Sequence, residues 1–494
     1  MTKLDNQIAQ YRKKLERRPP GNTRRGKALF NLANSLEDRF LETNVIRDLE
    51  EAIGHHRTAL DLRPEGHPDR HWSLYVLAKC LHRRYDKQGT LPDLEAAITL
   101  GKAALDLRPE GHPDRFDSLD FLALCFSDQY DEQGPVADLE EAITLQRAAL
   151  ELCPPGHSDR AETLDLLGSY LRQKFLKLGA TADLEEALSL HRSALDLRPE
   201  GYPNRSDSLH SLALCFSDRY DEQGSVADLE EAITLWRAEL ELLPQGHSDR
   251  DVTLDLLGSY LKQKFLKLGA TADLDEAISY HRSALHLRSV GHSDRLESLN
   301  QLLSCLSFRF KKLEAPADLD DLIALSRAIL DLHPPGHDGH AKSVDELLCY
   351  LRKQGQKLGM TVDLEECITL GRIAIGLNKP GSSGHAIYFR HLVSDLQSMC
   401  RSLESAFSNA HSSSDHIMSL HNPVQCVEDL VSEGHVSTDM DEIVTVVRSL
   451  TTLITCLQRR FQQCGDITDL DEGIILYKQV LSLHMTINWI FKIK

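Results

Sequence analysis

Residues able to do chemistry recur along this chain, and their spacing decides what that chemistry can be. Histidines stand at His67, His112, His157, His247, His292 and His337, one to a loop. To chelate an ion they would have to converge within about 2.1 Å of it. Equivalent loops of stacked helical units stand roughly 10 Å apart, so the pattern predicts loop packing or capping rather than a metal ladder. Gly21-Asn-Thr-Arg-Arg-Gly26-Lys27 nearly spells a phosphate-cradling loop. That loop needs a Ser or Thr after its lysine and a strand before it; Ala28 follows here, and no strand pattern precedes. The eleven cysteines include no CxxC pair. Cys80, Cys125, Cys215 and Cys305 share one repeat position and read as small apolar residues of a helix in a reducing compartment. No nucleophile, base and oxyanion donor can be grouped. The expectation is a non-enzyme with no catalytic residue, no cofactor and no metal.

What positions these residues is a ruler. Asp-Leu recurs at Asp48, Asp93, Asp138, Asp183, Asp228, Asp273, Asp318 and Asp363, each 45 residues after the last. Such units cannot bury their apolar face alone, so neighbours complete each other's core. From Asp93, apolar residues at Leu94, Ala97, Ile98, Ala104, Leu105 and Leu107 follow a helical stripe. Asp93 reads as the N-cap, and an acid three residues on in seven of the eight copies, as in Asp138/Glu141, suggests a capping box. A Gly at 66, 111, 156, 201, 246, 291, 336 and 381 predicts a positive φ or a tight backbone approach closing the helix. The next helix opens at Asp114-Arg115, carries Leu119, Leu122, Ala123, Phe126 and Tyr130, and is broken by Gly134. Each unit is therefore a helical hairpin, and nothing reads as a strand. Arg57, Lys102, Arg147, Arg192, Arg237, Arg282, Arg327 and Arg372 form a basic column, read as ion pairs with acids four residues on, such as Asp61 and Asp106. A second rhythm of 90 residues makes 116–134 resemble 206–224, and 163–188 resemble 253–278.

Ala97, Gly101, Ala104, Leu105 and Pro109 keep the spacing of the second half of a tetratricopeptide repeat, and Leu77, Ala78 and Leu81 fit its first half. The expanded unit resembles kinesin-light-chain repeats. It is most similar to tetratricopeptide arrays of mushroom-forming fungi that often precede a CHAT domain, a caspase-like protease module. The resemblance implies an all-α, right-handed superhelical solenoid that holds peptides or helices of other proteins in a concave groove.

Residues 3–384 form the tandem repeats, 385–407 a helix of the last regular repeat, 408–437 an irregular, partly disordered linker, 438–484 a degenerate repeat and 485–494 a non-repeat tail. The tail reads as an interrupted or alternative end. The net charge of −19 opposes a grip on nucleic acid or an anionic membrane. No stretch of 18 apolar residues occurs, and the N-terminus lacks an apolar leader, which predicts a cytoplasmic protein. Placed through Leu77, the groove-lining positions hold Asp117, Asp120, Asp128, Glu162, Asp165, Asp207, Asp218 and Asp255, with fewer bases: Lys79, His82, Arg83, Arg172 and Lys262. The expected function is a protein-interaction scaffold whose acidic groove takes basic peptides. The resemblance also admits the regulatory half of a CHAT protease, or a motor-cargo adaptor.

Overall fold

The computed structural model describes residues 3–358 and 364–378 and the isolated positions 387, 388, 391 and 395. The expected divisions beyond residue 384 lie almost wholly outside these. Among the described residues there are seventeen α-helices and no strand. After α1 (Lys3–Glu16), first and second helices alternate: α2 (Arg25–Thr43), α3 (Ile46–Asp61), α4 (Arg70–Gln88), α5 (Leu91–Asp106), α6 (Arg115–Gln133), α7 (Val136–Glu151), α8 (Arg160–Leu178) and α9 (Thr181–Asp196). The order continues through α10 (Arg205–Gln223), α11 (Val226–Leu242), α12 (Arg250–Leu268), α13 (Thr271–Leu287), α14 (Arg295–Leu313), α15 (Pro316–Leu332), α16 (His340–Leu358) and α17 (Leu364–Leu377). First helices start every 45 residues without slippage from Arg25 to His340. The chain forms two compact units, Met1–Thr253 and Leu254–Lys494. Within each, a helix packs chiefly on its neighbours in sequence, so the fold class is the expected all-α array of tandem hairpins. No helix of the described residues is long and apolar enough to cross a membrane.

The apolar stripes meet as read: Leu74, Leu77, Ala78 and Leu81 of α4 and Leu94, Ala97, Ile98 and Ala104 of α5 are buried. The invariant Leu107 departs from the expected stripe. It is the C-cap residue of α5 and stays 45% exposed.

The recurrent Asp has a different role from the one its position suggested. From α3 to α15 each second helix begins two residues earlier, so Asp93 is the third residue of α5, and no side chain hydrogen-bonds as its N-cap. Its carboxylate instead grips the preceding helix. Arg84 Nε and Nη2 donate to Asp93 at 2.7 and 2.6 Å. The same fork joins Arg39 to Asp48, Arg219 to Asp228 and Arg309 to Asp318, while Lys174 and Lys264 reach Asp183 and Asp273 at 3.6 and 3.5 Å. This latch closes the hairpin at its turn, and its acid also faces the positive end of the helix. The hydrogen bonds from Arg84 hold the Asp93 carboxyl below its ordinary range. Two copies lack the cation, with Gln at positions 129 and 354; at the first of them Asp138 Oδ2 is buried without a partner, and burial raises that carboxyl.

The basic column also departs from expectation. Arg147 donates to Glu186 at 2.8 Å, Arg327 to Glu366 at 2.9 Å, and Arg282 to Asp321, each 39 residues on. The ties run to the next repeat instead of one turn along the same helix. Arg12 to Glu51 repeats the pattern at 2.7 Å. All are exposed, so each contributes only about 0.2–1 kcal/mol.

The loop motif has a use for every letter. Gly66 and Gly111 turn the chain with φ of 83° and 84°. His67 Nδ1 then accepts the backbone N–H of Asp69, and all six recurrent histidines do likewise at 3.0–3.3 Å. Arg70 and Arg115 fold back to donate to the carbonyls of Arg63 and Arg108 at 2.5 and 2.6 Å.

Gln129→Arg should give Asp138 its missing latch and raise stability by about 0.5–1 kcal/mol, whereas Arg84→Gln should lower it by a similar or larger amount. Thermal unfolding of both variants checks the pair. A Gln129→Arg protein melting below wild type would refute the latch.

Candidate functional site

The eight acids fall on the first helices as expected, but the structure sorts them into three groups. Four are consumed by the protein itself. Asp128 lies 2.5 Å from His82 Nε2, and Asp218 accepts from Arg172 Nε at 2.5 Å. With Glu37 paired to Arg83, these rungs tie α2 to α4, α4 to α6 and α8 to α10. His82, Arg83 and Arg172, read as groove bases, are thus partners of acids one repeat away, and Lys262 donates to Gln301 at 2.6 Å.

Asp165 and Asp255 centre two buried clamps. Asp165 Oδ1 accepts from His191 Nδ1 at 2.9 Å, and Oδ2 accepts from Ser208 Oγ at 2.7 Å and from Arg198. Arg198 also donates to Ser208 Oγ. Ninety residues on, Asp255 is held in the same way by His281 at 2.9 Å, Ser298 at 2.8 Å and Arg288. Burial alone would raise the Asp255 carboxyl. The hydrogen bonds from His281 and Ser298 and the Arg288 charge outweigh it and leave it below the ordinary range. Ser, His and Asp meet here, yet not as a nucleophilic triad. The serine donates to the aspartate, and His191 Nε2 faces Gly168 with no partner. A Cβ on Gly168 would stand 2.6 Å from His191 Nε2, and one on Gly258 would stand 2.6 Å from His281 Nε2, so these glycines exist to seat the rings. Sequence reading missed the clamps. The signal was present: the 90-residue duplication carries Asp, Gly, His, Arg and Ser together.

Asp120 forms the second group, with one hydrogen bond, from Gln146 Nε2 at 3.0 Å. The third is a column. Asp117, Glu162 and Asp207 occupy the first turns of α6, α8 and α10 at one repeat position and enter no ion pair among the described residues. Burial raises the Asp117 carboxyl, with Asp114 and Asp159 adding to the shift.

Three groups of possible metal donors lie within 4.8 Å of one another: Glu37, His56 and Cys80; His71, His112 and Asp114; His82, Asp86 and Asp128. Each already answers an internal partner. Glu37 pairs with Arg83, and burial drives the His56 pKa down to about 3, leaving a neutral ring. His112 Nδ1 accepts a backbone N–H at 3.1 Å, which places its proton on Nε2, the atom a metal would need bare. His82 sits between its two aspartates. His71 adds a second imidazole beside one loop histidine. That residue breaks the repeat, and its ring lies 4.9 Å from that of His112.

No family model matches the chain, and no curated protein matches it. Among solved structures, it is similar to a putative kinesin light chain of Podosopora anserina with nearly identical repeats, at 19% identity over 46% of this chain and 100% of that one, TM-score 0.33. BtubC from P. vanneervenii shares 20% over 48% and 92%, TM-score 0.32. The quorum sensor NprR from B. thuringiensis shares 14% over 76% and 94%, TM-score 0.38. Likeness this loose assigns no family, and the fold stands on the chain's own helices.

Gly168→Ala should push into His191 and destabilise by roughly 1–3 kcal/mol, read by thermal unfolding. Burial, ahead of the Asp117 and Asp159 charges, holds the Asp120 carboxyl above its ordinary value. Ionised Asp120 therefore opposes folding above its folded pKa and has no such effect below the unfolded one, about 3.9. Asp120→Asn should stabilise the protein near neutral pH, with the gain fading as pH falls towards 4. A pH-independent difference in melting temperature would refute this.

Proposed function

We propose that this chain is a non-enzymatic protein-interaction scaffold that binds basic peptide or helical segments of partner proteins along a concave groove lined by its first helices. The observation that carries the reading is the column Asp117, Glu162 and Asp207: three carboxylates at one repeat position, outside the internal ion-pair network. A partner with cations spaced to match would neutralise charges that the fold leaves unpaired. The net charge of −19 adds long-range attraction for such a partner and repels polyanions. The buried thiols Cys80, Cys125, Cys215 and Cys305 carry no disulfide, which fits a cytoplasmic protein. Of the remaining acids of the groove reading, Asp128, Asp165, Asp218 and Asp255 act in this scheme as the frame behind the column.

A fluorescein-labelled Gly-Ser-Arg repeat peptide and its Gly-Ser-Glu counterpart, followed by anisotropy, test the reading. The basic peptide should bind and the acidic one should not. The triple variant Asp117→Lys, Glu162→Lys, Asp207→Lys should weaken capture about tenfold or more and flatten its salt dependence. Equal binding of the two peptides, or an indifferent triple variant, would remove the groove as the binding surface.

A further inference from the structure

One repeat position decides what each inter-repeat loop anchors. It holds Arg63, Arg108, Cys153, Arg198, Leu243, Arg288 and His333 in successive copies. Every arginine there is met by the residue 33 earlier. Phe30 and Tyr75 present ring faces to Arg63 and Arg108 at 4.8 and 4.6 Å, and Asp165 and Asp255 present carboxylates to Arg198 and Arg288. Each arginine also donates to the hydroxyl ten residues on, Ser73, Ser118, Ser208 or Ser298. Where the arginine is missing, the facing residue is usually not an acid: His210 precedes Leu243 and Asn300 precedes His333. The exception is Asp120, which faces Cys153.

Around Asp120 the clamp is built but its guanidinium is not supplied. Cys153 is fully buried and engages Thr163, the counterpart of Ser208. Gln146 takes the place of His191, is fully buried, and spends its Nε2 on Asp120 Oδ1. The Oε1 of that same amide is buried and has no partner. The hydroxyl of Tyr170, itself only 4% exposed, is also unpartnered, and after burial Asp120 is the group whose charge bears most on it. Asp117 and Asp159 add negative charge. A carboxylate and an amide oxygen side by side are acceptors for a forked, cationic donor.

We propose that Asp120 and Gln146 form a receptor for one guanidinium, the arginine side chain of a partner peptide, which completes from outside the clamp that Arg198 and Arg288 complete from within. This deepens the groove reading and rests on it. The two clamps centred on Asp165 and Asp255 show what the position accepts. Arginine is favoured over lysine because two acceptors must be served in one plane, which a fork does and a point charge does not.

The full chain is titrated with the labelled Gly-Ser-Arg peptide and with its lysine and citrulline counterparts. Arginine should bind tighter than lysine and about tenfold or more tighter than citrulline. Asp120→Asn and Cys153→Arg should each weaken the arginine peptide about tenfold, and Cys153→Arg should raise the melting temperature by supplying the internal ion. A Cys153→Arg protein that melts lower yet folded, or binds the arginine peptide as wild type does, overturns the receptor. The groove reading then stands if the Asp117, Glu162, Asp207 reversal still abolishes capture. Should Cys153→Arg not fold, Asp120→Asn decides alone: unchanged arginine preference overturns the receptor, and lost preference with the fold retained supports it. A wild-type chain that binds neither cationic peptide overturns the groove and the receptor with it.

Discussion

The interaction on which the array depends is the latch that most hairpins make between a cation near the end of the first helix and the recurrent Asp near the start of the second. A helical hairpin has one degree of freedom that apolar packing governs poorly, the angle and register at its turn. A forked arginine on a carboxylate removes it, because both bonds form only in one geometry. The pairs are half-buried, so they resist screening better than surface pairs, and their acids lie where the helix dipole already favours them. With the hairpin closed, its two apolar stripes face one way, and the next hairpin can dock.

Beyond the latch, the ties between repeats differ in kind. On the exposed side, Arg147–Glu186 and Arg327–Glu366 repeat at low energy and tolerate loss, as Lys102 and Arg192 show by turning to the rings of Phe126 and Phe216. On the inner side, rungs and clamps are buried, and each removes two charges from water. Ion pairs of that sort stabilise little against an apolar alternative, yet breaking one is severe. They serve register: Arg198 can find both Asp165 and Ser208 only when three successive helices are correctly seated.

Much of this was legible from residues alone. The 45-residue ruler gave the helical hairpin, the loop glycines and the loop histidines, because those depend on backbone geometry that each copy satisfies by itself. Two readings failed for a shared reason. Asp93 was assigned to its own helix end and Arg147 to an acid on its own helix, whereas both bind another helix. Local spacing cannot reveal a partner supplied by the next element. The acidic floor failed in part in the same way: Asp128 and Asp218 looked free until bases 46 residues earlier proved to be theirs. His71 departs from the period, so no repeat position announces it.

The alternation of the inner ties bears on how such a chain can lengthen or shorten. Excising one hairpin, residues 115–159, would bring Gln173 opposite His82 in place of Asp128. Excising two, residues 115–204, would bring Asp218 there and restore Ser208 to the loop arginine at 108. At this seam a matched partner returns after the loss of ninety residues and not after the loss of forty-five, so a change by one hairpin here would leave His82 without its carboxylate.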